Sequence, residues 1–372
     1  MYQPAITGHG VFTPEHVITN DELVAAFNAY SDKFNDQHAS EIEAGTLAPK
    51  PHSSAEFIFN ASGIEQRYVC VKDGILDPDR MYPHIPPRSD DAPSLMAEIA
   101  LKAAAPALDM AGVTGADVDL VICAASNMER AYPAMAIEIQ EFLGAGGFAF
   151  DMNVACSSAT FGIQTAADMV RAGSVKTALI LCPEITSGHL EWRDRDCHFI
   201  FGDVCTAVVV SRAEDAPKGH FKILSTKCAT EYSNNIRNNN GFLRRSHDQM
   251  GDRRDMQFMQ NGRKVFKEVL PMVCTHITDH MAHEDWTSSD LDRLWLHQAN
   301  KTMNDFIGKK LLGRAPEPHE QPNILQDYAN TSSAGSIIAF SQNCSDLPSG
   351  AKGVICSFGA GYSVGSVLVE KA

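Results

Sequence analysis

The sequence predicts an α/β protein built from two similar halves. Several strands are continuous apolar runs, such as VDLVICAAS and TALILCPEI, which is typical of strands buried on both faces. These runs alternate with segments of helical periodicity, so helices can cover the sheet on its faces. The same order of strands and helices occurs on both sides of residue 215, although we find no letter-by-letter repeat.

In the first half, residues 1–215, a short strand precedes a helix over TNDELVAAFNAYSDKF, which Thr19 or Asn20 can cap. The acidic first turn of this helix suits the helix dipole. A polar excursion at 27–53, aperiodic from residue 34, and a segment rich in Pro and Asp at 71–92 predict irregular structure. The order that follows is helix SLMAEIALKAAAPALDMAGV, strand VDLVICAAS, helix PAMAIEIQEFLGA, strand FAFDMNVAC, helix SATFGIQTAADMVRAG and strand TALILCPEI.

The boundary between the halves is predicted in a polar turn at 213–219, between two strands of CTAVVVSRAEDAPKGHFKILSTKCA. The second half, residues 216–372, then repeats the α/β order. Its elements are helix GRKVFKEVLPMVCTHITDHMAHE, strand LDRLWLHQ, helix NKTMNDFIGKKLLG, helix TSSAGSIIAFSQN and strands KGVICSFGA and YSVGSVLVEK.

Composition excludes several classes of function. A formal net charge of -15 argues against a nucleic-acid-binding protein, because phosphate binding depends on clustered Lys and Arg. No apolar run is long enough to span a membrane, and the first residues lack a signal-peptide pattern. The ten cysteines contain no C-x-x-C pair, so they fit neither a disulfide framework nor a zinc site. We therefore expect a cytoplasmic protein in a reducing compartment and predict no metal site.

Three chemically capable side chains stand at strand ends or helix starts, where α/β proteins usually bind ligands: Cys156, His297 and Asn330. A cysteine at a helix N-terminus is expected to have a lowered pKa, because unpaired amides stabilise its thiolate. Taken singly, each residue also fits a structural role as a buried cysteine, a core histidine or a helix cap. Together they predict a nucleophile with two polar assistants.

Five segments in order resemble landmarks of the thiolase superfamily, specifically β-ketoacyl-acyl-carrier-protein synthase III: NVACSSATFGIQ, FIFGDVCTAVVV, LWLHQAN, YANTSSAGS and SFGAGYSVGSVLV. ASGIEQRYV resembles the early G-I-x-x-R segment of that family. The resemblance implies a thiolase-like fold, in which two similar halves form a layered α-β-α-β-α core, and a homodimer. The excursions at 27–53 and 71–92 exceed the common short form and resemble a longer subgroup, for which medium-chain acyl-CoA primers are expected.

The resemblance also implies an activity, the decarboxylative condensation of acyl-CoA with malonyl-acyl-carrier protein to 3-oxoacyl-carrier protein in fatty acid synthesis. Cys156 would carry the acyl group, and His297 and Asn330 would stabilise the enolate formed when CO₂ leaves. The backbone amides of Cys156 and Ala360 would form the oxyanion hole. Ala360 replaces a family glycine, and the amide keeps its role if the local φ is negative. No metal or redox cofactor is implied.

Two stretches allow a competing interpretation. GAGYSVG resembles a nucleotide-binding loop, but it runs into a strand, whereas such a loop opens a helix. HMAHE places His280, His283 and Glu284 on one helix as a possible metal trio, although a solvated helix face is the commoner explanation.

Tyr132 corresponds to the residue that reaches across the family dimer into the acyl pocket of the partner, although simple core packing is an equal alternative. Related enzymes that join two acyl thioesters without decarboxylation have a glutamate base at that position. Tyrosine argues against that chemistry, and Glu129 three residues earlier weakens the argument only slightly. Intact Cys156, His297 and Asn330 argue against a third hypothesis, a non-catalytic acyl-binding protein on the same fold.

A basic stretch runs from Arg244 to Lys267 and contains Arg244, Arg245, Arg253, Arg254, Arg263, Lys264 and Lys267. It is either a solvated face or a docking surface for an acidic partner. By resemblance, Lys267, Lys309 and Lys310 match positions that face the acyl carrier protein. Thr302 stands where the family has an arginine, and Lys301 could compensate for it.

Overall fold

The computed structural model describes residues 1–89, 91–246 and 253–372. The strands are β1 Pro4–Phe12, β2 His16–Thr19, β3 Gln66–Val69, β4 Leu120–Ala124, β5 Phe148–Met152, β6 Thr177–Glu184, β7 Val204–Arg212, β8 Phe221–Ser233, β9 Ile236–Arg237, β10 Met259–Gln260, β11 Arg293–Leu296, β12 Lys352–Gly359 and β13 Gly361–Lys371. The helices are α1 Asn20–Gln37, α2 Ala39–Glu43, α3 Ala55–Ser62, α4 Leu95–Ala111, α5 Met135–Leu143, α6 Ser158–Ala172, α7 Gly262–His283, α8 Lys301–Leu312, α9 Leu325–Tyr328 and α10 Gly335–Gln342.

One nine-stranded mixed sheet runs through the molecule in the order β11-β12-β13-β8-β1-β7-β6-β4-β5. Strands of the predicted second half lie at one end, and strands of the first half lie at the other. The two groups are joined where β1 pairs with β8 at Ala5 and Ile6. β1 also pairs with β7 along most of its length, from Pro4 opposite Arg212 to Phe12 opposite Cys205.

Helices cover this sheet in layers, as the continuous apolar strands predicted. α4 and α5 pack on one side of the first group of strands, and α7 and α8 pack on the far side of the second group. α6 and α10 lie between the two groups and bury Ile163, Ile337 and Phe340 in a shared core. Full burial of each such side chain contributes about 1.5–3 kcal/mol to folding. Every residue of β6 is buried, which explains why its sequence does not alternate.

The segment 27–53 contains more helix than its sequence indicated. α1 begins at Thr19, which forms a capping box with Glu22, and it continues to Gln37. The ring of Phe34 contacts that of Tyr30, and the Lys50 ammonium lies 4.8 Å from the centroid of Phe34. The prediction of irregular structure was therefore wrong for residues 34–37, where contacts with the returning chain stabilise the end of α1, and for the short helix α2. Residues 44–53 are irregular, as predicted. The described part of 71–92 is irregular, as predicted.

The predicted boundary between the halves lies in the turn between β7 and β8. Because β1 pairs with both of these strands, the two halves share one sheet. The division into residues 1–215 and 216–372 stays a prediction. Among the described helices, none combines the length and the apolar character needed to cross a membrane.

Candidate active site

Three chain segments that are distant in sequence meet at one cavity of about 650 Å³. Cys156 lies in a 3₁₀ turn, Ala155–Ser157, which joins β5 to α6. His297 directly follows β11, and Asn330 precedes the 3₁₀ turn Ser332–Ala334 that leads into α10. All three residues line the cavity, so the structure brings the predicted nucleophile and its two assistants together.

The sulfur of Cys156 is closely surrounded. The Ser332 hydroxyl donates to Sγ over 3.6 Å. Gly359 passes so near that a Cβ added there would lie 2.7 Å from the Cβ of Cys156. A side chain at residue 359 would therefore displace the nucleophile, and only glycine fits.

The expectation of a lowered thiol pKa at Cys156 was wrong. Burial raises the pKa of Cys156 to about 11, and the nearby carboxylate of Glu184 acts in the same direction. The Ser332 hydroxyl and the amides of Ala360 and Cys156 stabilise the thiolate, but more weakly than burial disfavours it. The thiol is therefore protonated at neutral pH, because burial by the enclosing residues raises its pKa more than the amides at the start of the helix lower it.

His297 is a neutral imidazole at physiological pH, because burial lowers its pKa to about 4, with the Ser332 backbone acting weakly in the opposite direction. Its ring stands edge-on to Phe358, with centroids 5.2 Å apart. Its Nδ1 is buried without a hydrogen-bond partner among the described residues. One ring nitrogen of a neutral imidazole donates and the other accepts, so His297 can hold an oxygen or take up a proton.

The amide of Asn330 is oriented by its own turn. Its Oδ1 accepts from the Ser332 backbone N–H over 2.8 Å. The acceptor end is thus engaged, and Nδ2 is the donor end available to a ligand. Ala329 and Ser332 on either side have φ values of 57° and 50°, and Ala155 before the cysteine has 46°. Such strained backbone at non-glycine residues persists where the surroundings enforce it and is frequent at functional sites.

The cavity wall is mostly apolar, with charged groups at some points. Its apolar members include Phe199, Phe201, Phe258, Val265, Phe266 and Met303. Arg254 donates to Asp194 over 2.7 Å, and both line the cavity. Phe57 also lines it, with the Arg195 guanidinium 3.9 Å from the ring centroid. Sequence reasoning missed Phe57 and Arg195, because no local pattern links two residues on such distant segments. Ser332 was detectable, since it lies inside YANTSSAGS.

The predicted oxyanion residue Ala360 lies between β12 and β13, beside the sulfur. It is outside the positive-φ region, so alanine adopts this backbone without strain. The following residue, Gly361, begins a strand rather than a helix, which confirms that GAGYSVG is not a nucleotide-binding loop.

Tyr132 does not line the cavity of its own chain. It is 85% exposed, so the alternative of core packing was wrong. Glu129 accepts from the Met96 backbone N–H at the start of α4 and is likewise absent from the cavity wall.

The predicted docking lysines lie on two helices that pack together. Lys267 is exposed on α7, and Lys309 and Lys310 are exposed in the last turn of α8. Lys301 is paired with Asp305 over 2.6 Å, while Thr302 lines the cavity. The side chains of Arg244, Arg245 and Arg253 lie outside the described part of the structure.

The HMAHE helix offers no metal trio. His280 is buried and bonded to Ser366 and Ser225, so the expectation of a fully solvated face was wrong for this residue. His283 is exposed and pairs with Glu284. Over residues 1–89, 91–246 and 253–372, no group of three metal-ligating side chains is present.

Comparisons with known proteins agree with this geometry. The sequence model of 3-oxoacyl-[acyl-carrier-protein] synthase III matches residues 150–231, and that of its C-terminal part matches residues 281–371. The chain is 54% identical to a β-ketodecanoyl-[acyl-carrier-protein] synthase of Pseudomonas aeruginosa over 93% of this chain and 99% of that protein. It is 31% identical to a β-ketoacyl-[acyl-carrier-protein] synthase III of Acidiphilium cryptum, with both chains fully covered.

Solved structures confirm the predicted thiolase-like fold. The 3-oxoacyl-[acyl-carrier-protein] synthase III of Aquifex aeolicus superposes with a TM-score of 0.76 over 99% of both chains, at 24% identity. The priming β-ketosynthase of the R1128 polyketide pathway gives 0.79 over 99% of this chain and 96% of that one, at 22% identity. From its relatives and its fold, the chain belongs to the 3-oxoacyl-[acyl-carrier-protein] synthase III family of acyltransferases.

Proposed function

We propose that this chain condenses a medium-chain acyl-CoA, with octanoyl-CoA as the preferred primer, with malonyl-acyl-carrier protein to give 3-oxoacyl-carrier protein, CoA and CO₂. The observation that carries the proposal is the meeting of Cys156, His297 and Asn330 at one apolar cavity. The relative at 54% identity is named for a 3-oxodecanoyl product, whose ten carbons comprise two from malonate and eight from the primer. The pathway is fatty acid synthesis.

In the first step, Sγ of Cys156 attacks the thioester carbonyl of the acyl-CoA. The neutral imidazole of His297 faces the same cavity and can accept the thiol proton, which the buried sulfur does not lose by itself at neutral pH. The acyl–S bond to Cys156 forms as the bond to CoA breaks, and the CoA thiolate takes up the proton. The amides of Cys156 and Ala360 hold the transient oxyanion.

In the second step, malonyl-carrier protein loses CO₂, and the electron pair of the broken bond forms an enolate. The Asn330 amide and the His297 ring donate to its oxygen, and neither group carries a charge at neutral pH. The enolate carbon then attacks the acyl carbonyl on Cys156. The carbon–sulfur bond breaks, 3-oxoacyl-carrier protein leaves, and the Cys156 thiolate takes up a proton from water. Because both steps are acyl, carbon and proton transfers, the proposal includes no metal ion and no redox cofactor.

Some residues at the cavity have features that suit CoA. The Phe57 ring and the Arg195 guanidinium form a stacked pair, and a flat adenine ring can add to such a stack. Arg263 also lines the cavity and is exposed, so it can meet a phosphate group. The apolar remainder of the wall suits the pantetheine arm and the acyl chain.

A survey of acyl-CoA primers tests the proposed function. Initial rates of 3-oxoacyl-carrier protein formation should peak near eight carbons and be lowest with acetyl-CoA, and each turnover should release one CO₂ from labelled malonyl-carrier protein. Condensation of two acyl-CoA molecules without CO₂ release would instead support the non-decarboxylative alternative. Acyl-CoA binding without a covalent acyl-enzyme would support a non-catalytic acyl-binding protein.

We also propose that the acyl carrier protein, an acidic partner, docks on α7 and α8 through Lys267, Lys309 and Lys310. A double variant with Lys267→Glu and Lys310→Glu should raise KM for malonyl-carrier protein by about tenfold at low salt and by less at high salt. Acylation of the enzyme by acyl-CoA should not change. Lys218→Glu is the matched control, since Lys218 is an exposed lysine in the turn at the opposite end of β7 from the site. An unchanged KM in the double variant would contradict this docking site.

We propose that the protein is a homodimer in the cytoplasm. Ile137, Phe142 and Phe148 expose nearly half of their side chains on and beside α5, and a second copy would cover them. Tyr132, close to them in sequence, would then enter the acyl pocket of that copy. A reducing compartment suits a chain with ten cysteines and no C-x-x-C pair.

Sedimentation of Phe148→Glu checks the dimer. This variant should sediment as a monomer, whereas Phe306→Glu, which alters a residue of similar exposure on α8, should remain a dimer. Tyr132→Ala should remain dimeric and shift the preferred primer to longer chains. A wild-type protein that sediments as a monomer would exclude the dimer.

A further inference from the structure

Glu184 is a buried carboxylate with no role in the reaction as described above. It is the last residue of β6, is 1% exposed and forms no ion pair with the described residues. Its two oxygens accept four hydrogen bonds from two serines. The Ser126 N–H and hydroxyl donate over 3.0 and 2.5 Å, and the Ser333 N–H and hydroxyl donate over 3.2 and 2.5 Å.

Each of these two serines is connected to one of the turns that form the candidate site. Ser333 lies in the 3₁₀ turn Ser332–Ala334, next to the serine that both donates to Cys156 and orients the Asn330 amide. Ser126 connects to the nucleophile less directly. Its carbonyl accepts from the Asn153 side chain over 3.0 Å, and the same side chain accepts from the Ala155 N–H over 3.0 Å.

We propose that Glu184 is a positioning residue for condensation, which holds the Asn330 turn in register with the Cys156 turn. The inference rests on the proposed function. A carboxylate with four converging donors fixes both turns at once, because moving either turn would leave buried donors without an acceptor. Burial raises the pKa of Glu184, and the four donors act in the opposite direction by stabilising the carboxylate. The two 2.5 Å hydroxyl contacts lie at the short end of the range for O–H···O hydrogen bonds.

Glutamine is a suitable conservative replacement, because three of the four donors approach the same oxygen, Oε1. In Glu184→Gln, that oxygen remains an acceptor. The new Nε2 takes the place of Oε2 and can donate to the Ser126 hydroxyl, which can accept. Glu184→Gln therefore keeps the bonding pattern, whereas Glu184→Ala removes it.

The test compares two half-reactions in the same preparations. Octanoylation of Cys156 is measured by intact mass, and condensation is measured as CO₂ release from malonyl-carrier protein. Glu184→Ala should lower condensation by about 100-fold, as when one oxyanion donor is removed, and should lower acylation less, since Asn330 acts only in condensation. Glu184→Gln should restore most of the condensation. Asp119→Ala is the matched control, because that carboxylate binds the Lys176 and Thr177 amides at the opposite ends of β4 and β6.

Full condensation by folded Glu184→Ala would overturn the inference, and so would a Glu184→Gln variant as impaired as the alanine variant. If Glu184→Ala does not fold, Ser333→Ala replaces it, because it removes one 2.5 Å hydroxyl donor and leaves the backbone intact. This variant should lose at least about tenfold in condensation, and an unchanged rate would overturn the inference. A wild-type protein that releases no CO₂ contradicts the proposed function instead.

Discussion

Cys156→Ala should abolish both the acyl-enzyme and condensation, the largest effect expected of any substitution in this chain. Without the sulfur there is no group to carry the primer between the two thioesters, so turnover should fall by at least about 1000-fold. After incubation with octanoyl-CoA, intact mass should show one added octanoyl group on the wild-type protein and none on the variant. Release of labelled CO₂ should fall in parallel.

Cys197→Ala is the matched control for this experiment. Cys197 is a second buried thiol in the wall of the same cavity, and its Sγ donates to the Glu191 carbonyl over 3.9 Å. Removing it should leave the octanoyl adduct in place. An octanoyl adduct on Cys156→Ala, or loss of the adduct only in Cys197→Ala, would show that Cys156 is not the nucleophile.

The raised pKa of Cys156 gives the same assignment a pH signature. A group whose pKa is about 11 holds less thiolate at pH 8 than a free thiol does, and its thiolate fraction keeps rising above pH 9. In the resting protein, the rate of iodoacetamide alkylation at Cys156 should therefore increase with pH through 9 and beyond. A rate that levels off at or below pH 8 would contradict a thiol held protonated by burial.

Removing either enolate-stabilising side chain should separate the two half-reactions. His297→Ala and Asn330→Ala should each lower condensation by about 10²–10³-fold, equivalent to about 2.7–4 kcal/mol of lost transition-state stabilisation. Octanoylation of Cys156 should persist, most fully in the Asn330 variant, because only His297 is proposed to take the thiol proton. Single-turnover assays with preformed acyl-enzyme measure condensation independently of acylation.

Asn330→Asp is a sharper form of this test. The aspartate keeps an oxygen to accept from the Ser332 N–H, so the turn survives, but it loses the donor and adds a negative charge facing the enolate. It should therefore condense no faster than Asn330→Ala. If Asn330→Asp retained wild-type condensation, Asn330 would be a helix cap and not an enolate donor.

Much of this architecture could be predicted from local pattern. The apolar runs of β4 and β6 identified buried strands, and the positions of Cys156, His297 and Asn330 at element ends indicated where the site would be. The thiol pKa was not predictable in this way. It is raised by burial, to which the close approach of Gly359 contributes, while the Ser332 hydroxyl acts in the opposite direction, and both residues come from segments far along the chain.

Other features depend on pairings that no single segment encodes. Phe57 and Arg195 form a stacked pair only when α3 packs against the segment that follows β6. Glu184 has its four donors only when Ser126 and Ser333, which are distant in sequence, both lie beside it. The end of α1 was missed for a similar reason, since Phe34 is stabilised by Lys50 from the returning chain. Patterns of hydrophobicity report burial within a segment, but not the identity of a partner from another segment.

The central position of β1 also has consequences for how the protein folds. This strand is synthesised long before β7 and β8, yet it lies between them and depends on both for its hydrogen bonds. During synthesis, β1 therefore has no partner strand until more than half of the chain has left the ribosome. Contacts of such large sequence separation slow folding and leave strand edges open to aggregation in the interval. Recovery of this protein from cells should therefore depend on growth temperature and chaperone supply more strongly than its densely packed native state would indicate.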